Sequence, residues 1–507
     1  MDPTFDVRIP VPLRGDIYTV CGEVLASPAA NHKSVYNMTN RYSPKDVFPT
    51  LCKDNRMVMF GLRSFIEYEL LDVCSQWDID EADEFLSQAH SFGGALPFSR
   101  KLWERVVTEN SGYLPIKITA IPEGSTFFPG EPIIQVESTM EGAGEIAALV
   151  EANLLGSVSI ATARATITRH WLERMVEWVK RDNPDVADAY LIAKWMVHDF
   201  GMRASSNSFE SQLLGIAHLL SFGGTDTTPA AYIAYKQGLE NGKSILALAH
   251  RIVQGFDSEQ ECFDNLAAQS LKFGNVPIAS YVADCYNFKK AVREKLTKVD
   301  QSAHVVTRPD SGDYIENDLL VLRTAVENGW FKRNSQDMFE PTRFNIIQGD
   351  SMNPDKTELL FQTRRNNNFS ATAWGIVGVG GWLRNNCTRD TFSSAYKLSA
   401  VHNPKTGGLR PVVKISETAK KMSVPGPVKI VRGTPITVYQ QHEYVDGWNH
   451  DICQTVYIDG VIPEYSLKDV QKRTIDNFNE MEKFKNLEFP YSSMTKDIQN
   501  DVLQHTR

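Results

Sequence analysis

The sequence predicts an α/β protein: an irregular, TIM-like barrel of parallel strands with a discontinuous α+β companion domain. Three observations predict it. From about Ala187 to Trp382, apolar strand-like runs alternate with amphipathic helices, an order that gives a parallel sheet. Polar residues gather just after successive runs, at strand carboxyl ends, which in a barrel form one face on which several strands converge. The flanks lack this alternation and mix helices with runs of antiparallel character.

Residues 1–156 form the first part of the companion domain. Helices are expected near residues 57–77 and 82–90, and strands at PIKITAI and EPIIQVES. The barrel occupies 157–396, with strand runs AYLIAKWMV, KSILALA, VPIASYVA, AHVVT, RFNIIQ and ATAWGIVGV. Between them, Phe209, Leu213, Ile216 and Leu220 follow helical spacing on one face. Asn207 with Glu210, Ser258 with Glu261 and Asp313 with Glu316 read as capping boxes, the last opening a helix that stops at Gly329. Residues 397–507 return to the companion domain. The runs YKLSAV, RPVVKIS, PVKIVR and CQTVYID look antiparallel, and a charged helical tail begins at Ser466.

Composition excludes several classes. With 53 Lys plus Arg against 62 Asp plus Glu, the net charge of −9 argues against a protein coating nucleic acid. No uninterrupted apolar run reaches the roughly 18 residues of a membrane helix, since the stretch after Glu145 contains Glu151, Asn153 and Arg164. The opening MDPTFDVRIPVPL has acids and prolines in place of a basic region and an apolar core, so a cytoplasmic protein is expected. Seven widely spaced cysteines without a CxxC pair suit reduced thiols rather than disulfides or a zinc site.

Each polar residue at a strand end has a bland reading beside a chemical one. Asp310 and Asp350 suit ribose hydroxyls or magnesium-bound water, though either alone is more often a helix cap. Phe200, between Asp199 and Gly201, is either a core aromatic or a stacking platform. His250 follows an apolar run, where a lone histidine is commonly structural; Asp284 could orient its ring and stabilise a charged or phosphorylated imidazole. The glycines from Gly378 to Gly381 either turn the chain or let its N–H groups approach a phosphate. No G-x-G-x-x-G is present, and Asp390 follows too soon to serve as a dinucleotide fold's ribose acid. From Lys405 to Arg432, seven basic residues stand against Glu417 alone, a solvated face or a grip for a polyanion. Together these residues point to a phosphorylated sugar and a flat base. A barrel phosphosugar lyase would want a Schiff-base lysine or metal ligands inside the barrel, and Lys194 inside the first run is the candidate lysine. A nucleotide-binding sensor would keep the pocket without turnover.

The ordered series HDFGMR, GGTDT, the His250 run, RPDSGD, QGD, GVGG, TRD with Lys397, and VVKISETAKKMSVPG resembles the nicotinamide and nicotinate phosphoribosyltransferases, nearest to the nicotinamide enzymes. The resemblance spans most of residues 16–432. It implies transfer of phosphoribose from phosphoribosyl pyrophosphate to a pyridine nitrogen, with magnesium, ATP stimulation and a homodimer whose active sites are shared. By motif, Phe200 and a partner subunit's copy of Tyr18 would sandwich the pyridine ring. Arg203, Gly380, Gly381 and Arg389 would hold the 5′-phosphate, and Arg308, Asp310, Gly349 and Asp350 would surround ribose and base. Ser280 and Arg308 match positions near the carboxamide oxygen, and Arg41, Lys397, Lys414 and Lys421 match cations on the pyrophosphate side. His250 falls at the family's phosphorylated histidine and Asp284 at its partner. The resemblance implies that Asp226 favours nicotinamide, whose amide donates to a carboxylate, over nicotinate, which meets it as a like charge. Nicotinate transfer is the alternative. The chain departs from the family at Ala249 and Arg251, where relatives commonly carry an acid before the histidine and a small hydroxyl residue after it.

Overall fold

In the computed structural model, residues 8–88, 94–371, 375–403, 405–416, 419–434, 436–445 and 451–506 are described. His90 at the end of an expected helix, Thr372 to Trp374 of the last apolar run, and Glu417 with Thr418 in the basic stretch lie outside them. The chain divides into two compact units. One comprises residues up to Val47, Asp54–Thr166 and everything from Cys387; the other comprises Phe48–Lys53 and Ile167–Asn386.

The second unit is an α/β unit built on a curled parallel sheet. Its strands are β1 (Val197–Asp199), β2 (Gly224–Thr225), β3 (Leu246–Ala247), β4 (Ile278–Val282), β5 (His304–Arg308), β6 (Phe344–Gln348) and β7 (Gly375–Val379). The hydrogen-bonded order is β2-β1-β7-β6-β5-β4-β3, and each pair is parallel. Neighbours therefore follow chain order from β3 to β7 and return to β1. A bridge between Gly224 and Lys243, just ahead of β3, lies beyond this order. The middle strands are buried along most of their length and rich in Val, Ile and Phe, as expected of parallel strands covered on both faces.

The covering helices begin where the capping residues predict. Asn207 Oδ1 accepts from Glu210 N (2.9 Å) at the head of α1 (Ser208–Leu219), which is followed by α2 (Thr228–Lys236) and the short α3 (His250–Gln254). Ser258 Oγ accepts from Glu261 N (3.2 Å) at α4 (Glu259–Phe273). Asp313 Oδ1 accepts from Ile315 N and Glu316 N (2.9 Å each) at α5 (Tyr314–Glu327), beyond which Gly329 adopts φ +75°. Asn353 caps α6 (Pro354–Asn366), and α7 (Gly381–Asn385) follows β7. The core between these helices and the sheet includes Phe263, Tyr281, Val305, Val321, Phe344 and Ile346, all fully buried. Within it, Arg364 of α6 forms two hydrogen bonds to Asp318 of α5 (2.6 and 2.9 Å), with both side chains out of solvent.

The other unit holds a six-stranded antiparallel sheet in the order Leu409–Pro411, Ser394–His402, Ser34–Asn40, Pro132–Ser138, Ile116–Ala120 and Gln454–Ile458. A separate hairpin pairs Val428–Arg432 with Ile436–Gln440, and Leu467–Glu480 is helical. One continuous helical run, Ile146–Asp182, is long and apolar enough to cross a membrane by length and composition. Its apolar window is 67% buried in the protein, as in a core helix.

Several expected elements differ. The run AYLIAKWMV divides into a helical turn, Tyr190–Ala193, and the short β1, because Asp188 Oδ1 accepts from Tyr190 N (2.9 Å) and Leu and Ala favour helix. Lys194 therefore stands at a helix end ahead of β1, its Nζ 5.1 Å from the Trp195 ring centroid, and not inside a strand. The helix expected over 57–77 opens instead as a strand, Met57–Val58, paired with Thr126–Phe127. Gly61 (φ +103°) ends that extended stretch before the helix Leu62–Phe65. Of RPVVKIS, only the first residues join a strand, Leu409–Pro411.

Candidate active site

Seven loops at the carboxyl ends of the parallel strands carry Phe200, Asp226, His250, Asp284, Asp310, Asp350 and Gly380. Each follows its strand by one to three residues. The centre is a chain of charged groups. His250 Nε2 donates to Asp284 Oδ1 (3.0 Å), while its Nδ1 stands 4.0 Å from Asp310 Oδ2. Arg308 reaches the same Asp310 oxygen at 3.6 Å. Asp284 is almost wholly buried, and its second oxygen accepts from Asp310 N (3.2 Å) and Ser311 Oγ (2.7 Å). One buried carboxylate thus fixes both the histidine ring and the loop that carries the second acid. His250 remains 41% exposed, open to a reactant. The Nε of Arg308 is buried without a hydrogen-bond partner, a donor free for a ligand.

A second group surrounds Phe200. Its backbone N–H continues the β1–β7 pairing by donating to Val379 O (3.0 Å), and its half-buried ring packs against Gly378 of β7. A Cβ at Gly378 would sit 2.1 Å from Phe200 Cε2, so only glycine admits the ring there. A Cβ at Gly349 would be 3.4 Å from the same atom and 3.8 Å from Asp310 Oδ1, so the ring and the acid flank one loop. Asp199, buried at the end of β1, stiffens this corner by accepting from Gly201 N (3.1 Å), Thr225 Oγ1 (3.2 Å) and Thr227 Oγ1 (2.6 Å). Asp226, the exposed acid after β2, is tied by its backbone N–H to Asp199 O (2.9 Å), and its carboxylate accepts from Ser244 Oγ. Beneath it, His198 packs against Gly224, and burial pushes the imidazole below its usual value.

The remaining candidates divide between the units. Ser280 is buried on β4, Arg203 is exposed on the turn Gly201–Ala204, and Gly381 opens α7 with free space around it. Tyr18, Arg41, Arg389, Lys397, Lys414 and Lys421 belong to the antiparallel unit. There Arg41 and Arg389 lie close enough to repel. Burial first, and the Arg389 charge second, push the Arg41 guanidinium down, and its Nε has no partner. Lys397 is engaged by Glu151 (3.0 Å) and Tyr396 O (2.6 Å), and Tyr18 is 75% exposed with its hydroxyl donating to Asp16 (2.8 Å). Lys414 and Lys421 are exposed. Ser311 and Ser244, which steady Asp284 and Asp226, were not singled out by the sequence. Ser311 lies inside RPDSGD, but which acid it holds depends on the β4–β5 pairing.

A parallel α/β sheet whose carboxyl-end loops bring an imidazole, acids, arginines, glycines and an aromatic ring to one face defines a group-transfer enzyme of the sugar-phosphate type. The model of the nicotinate phosphoribosyltransferase (NAPRTase) family matches residues 195–447. A nicotinamide phosphoribosyltransferase of Xanthomonas campestris pv. campestris is 30% identical over 360 residues, covering 68% of this chain and 74% of the relative. One of Acinetobacter baylyi is 25% identical over 420 residues, covering 75% and 80%. The crystal structure of human nicotinic acid phosphoribosyltransferase shares the fold at a TM-score of 0.58 and 15% identity, over 96% of this chain and 99% of that one. The chain belongs to the NAPRTase family and is a phosphoribosyltransferase.

Proposed function

We propose that the protein transfers phosphoribose from phosphoribosyl pyrophosphate to nicotinamide, giving nicotinamide mononucleotide and pyrophosphate in NAD salvage. The observation that carries this reading is the linked group Asp284, His250, Asp310 and Arg308 beside Phe200, with Asp226 across the same face. Phe200 offers a flat surface to the pyridine ring, and Asp226 accepts a hydrogen bond from the carboxamide NH₂. The ring nitrogen's lone pair attacks the anomeric carbon as its bond to pyrophosphate breaks. No enzyme nucleophile is needed for that step. The residues orient two ligands and stabilise charge developing on the ribose and on the leaving group.

In this reading Asp310 and Asp350 meet the ribose, and Arg203 with the N–H groups after β7 meets the 5′-phosphate. The family resemblance brings in magnesium, which keeps its waters and binds mainly through substrate phosphates with one or two carboxylates. Asp310 and Asp350 would hold it, and it would neutralise charge on the departing pyrophosphate. For ATP stimulation, His250 is the phosphoryl acceptor in this reading. Because Nε2 donates to Asp284, the lone pair of the neutral ring is on Nδ1.

The same reading takes the curled sheet as an irregular TIM-like barrel, supported by the return of β7 to β1. In this reading the antiparallel unit is the companion domain, with Arg41, Lys397, Lys414 and Lys421 assigned to the pyrophosphate and Arg389 to the 5′-phosphate. In a cytoplasmic homodimer, the exposed Tyr18 would complete the ring sandwich of a second copy. Incubating the protein with phosphoribosyl pyrophosphate, magnesium and either nicotinamide or nicotinate, with and without ATP, tests the proposal by mass of the mononucleotide formed. Nicotinate turnover equal to or above that of nicotinamide would overturn the substrate assignment.

A further inference from the structure

In the antiparallel unit, three segments distant in sequence bring His32, Glu141 and His402 together. His32 ends the short helix Pro28–His32, Glu141 lies in the loop after Pro132–Ser138, and His402 closes the strand Ser394–His402. Backbone hydrogen bonds pin the three segments to one another. Gly142 N donates to His32 O (2.9 Å), His402 N to Lys33 O (2.8 Å), and Gly144 N to Asn31 O (3.0 Å). From outside, Arg105 donates to the backbone carbonyl of Glu141 (2.9 Å), holding the loop without occupying its carboxylate.

The side chains converge as well. One ligand-type atom from each of the three lies within 4.8 Å of the other two. His32 Nδ1 contacts the Glu141 carboxylate, and the two imidazoles meet edge to face with centroids 5.3 Å apart. His402 Nδ1 is buried and has no hydrogen-bond partner. His32 and Glu141 keep 36% and 53% of their side chains exposed, leaving an entry path.

We propose that His32, Glu141 and His402 bind a divalent transition-metal ion of the zinc type. Two imidazoles and a carboxylate are the donor set this class prefers over magnesium or calcium, whose ligands are all oxygen. Zinc bonds of about 2.0–2.2 Å place tetrahedral donors roughly 3.3 Å apart, so small rotamer changes close a set already within 4.8 Å. The backbone bonds mean that the ion would tie a helix end, a loop and a strand end together, and its binding should therefore raise stability. Three protein ligands leave a fourth position for water. The transfer proposed above assigns no role to these residues, so zinc binding here can be tested apart from it.

The test uses the full-length chain without a polyhistidine tag, stripped with chelator and titrated with zinc sulfate by calorimetry. One zinc per chain and a raised Tm are expected, with binding lost in His402→Ala and His32→Ala and weakened at least tenfold in Glu141→Gln. Cobalt substitution should give visible absorption bands of a low-coordinate site in the wild type and not in His32→Ala. Circular dichroism confirms that each variant folds, and Glu141→Gln carries the comparison if a histidine variant does not. Failure of the wild type to bind zinc, or equal binding by all three variants, would overturn the proposal.

Discussion

His250 is held by one carboxylate and faced at 4.0 Å by another, with Arg308 beyond it. If phosphoryl transfer to this ring drives ATP stimulation, His250→Ala should abolish ATP hydrolysis and stimulation while transfer without ATP persists, as coupled and uncoupled assays would show. Asp284→Asn keeps the shape but loses charge. Charge-assisted hydrogen bonds contribute about 1.5–3 kcal/mol, so stimulation should fall roughly ten- to a hundredfold. The flanking Ala249 and Arg251 leave this geometry intact, since the ring is fixed from β4 and not by its neighbours. Asp226 sets the other residue-scale prediction. A like charge about 4 Å away costs about 4 kcal/mol at an effective dielectric of 20 and about 1 kcal/mol in water. Asp226 is exposed, so its effect depends on how far the bound ring excludes water. Asp226→Ser should raise relative kcat/KM for nicotinate by somewhere from fivefold to a thousandfold, measured by direct substrate competition. Such residues were legible because short polar groups interrupt apolar runs. Ser311 and Ser244 were not, because a serine's role lies in what it touches across strands.

At the scale of elements, glycine is used where a ring must lie on a strand. The β1–β7 pairing sets Gly378 opposite His198 and places Phe200 over β7. Adding a methyl group at Gly378 must move either the ring or the strand, at a cost of about 1–3 kcal/mol for overpacking. Gly378→Ala should therefore lower Tm modestly and raise KM for the pyridine far more than KM for phosphoribosyl pyrophosphate. Equal effects on both would place the ring elsewhere. Helix starts were legible from Asn207, Ser258 and Asp313 because a cap is a local event. Strand extents were less so. The run KSILALA yields a strand of only two residues, both exposed, at the edge of the hydrogen-bonded order. Apolar composition there did not reveal where pairing stops. A different element contact carries stability. Asp318→Ala would strand the buried Arg364 guanidinium between α5 and α6, and breaking such a pair costs about 3–5 kcal/mol. Urea unfolding should show that loss without any change in KM.

For the whole molecule, the net charge of −9 conceals where charge is costly. The sequence showed a basic stretch and an ordered motif series, enough for family and sheet type. It could not show which acids would be buried, because burial depends on packing between segments far apart in the chain. Glu23 is such an acid. It is buried on a helix of the antiparallel unit, one oxygen lacks a partner, and desolvation, aided by Glu145, pushes its carboxyl up to about 7. His198 in the parallel unit is displaced the other way, burial holding its imidazole below the usual 6.5. The two have opposite consequences. Between pH 4.5 and 7 the folded protein keeps a proton on Glu23 that the unfolded chain has released, so this contribution to stability falls as pH rises. For His198 the unfolded chain binds the proton first, so its contribution falls as pH drops below about 6.5. Glu23→Gln should leave stability unchanged relative to the parent near pH 4 and raise it progressively above pH 5. A shift from 4.5 to about 7 corresponds to a gain of up to roughly 3 kcal/mol by pH 8, at about 1.4 kcal/mol per pH unit. His198→Asn should instead flatten the acid limb below pH 6.5. Denaturant unfolding of parent and variants across pH 4–8 separates the two, and a Glu23→Gln difference independent of pH would show that the carboxyl is not displaced by burial.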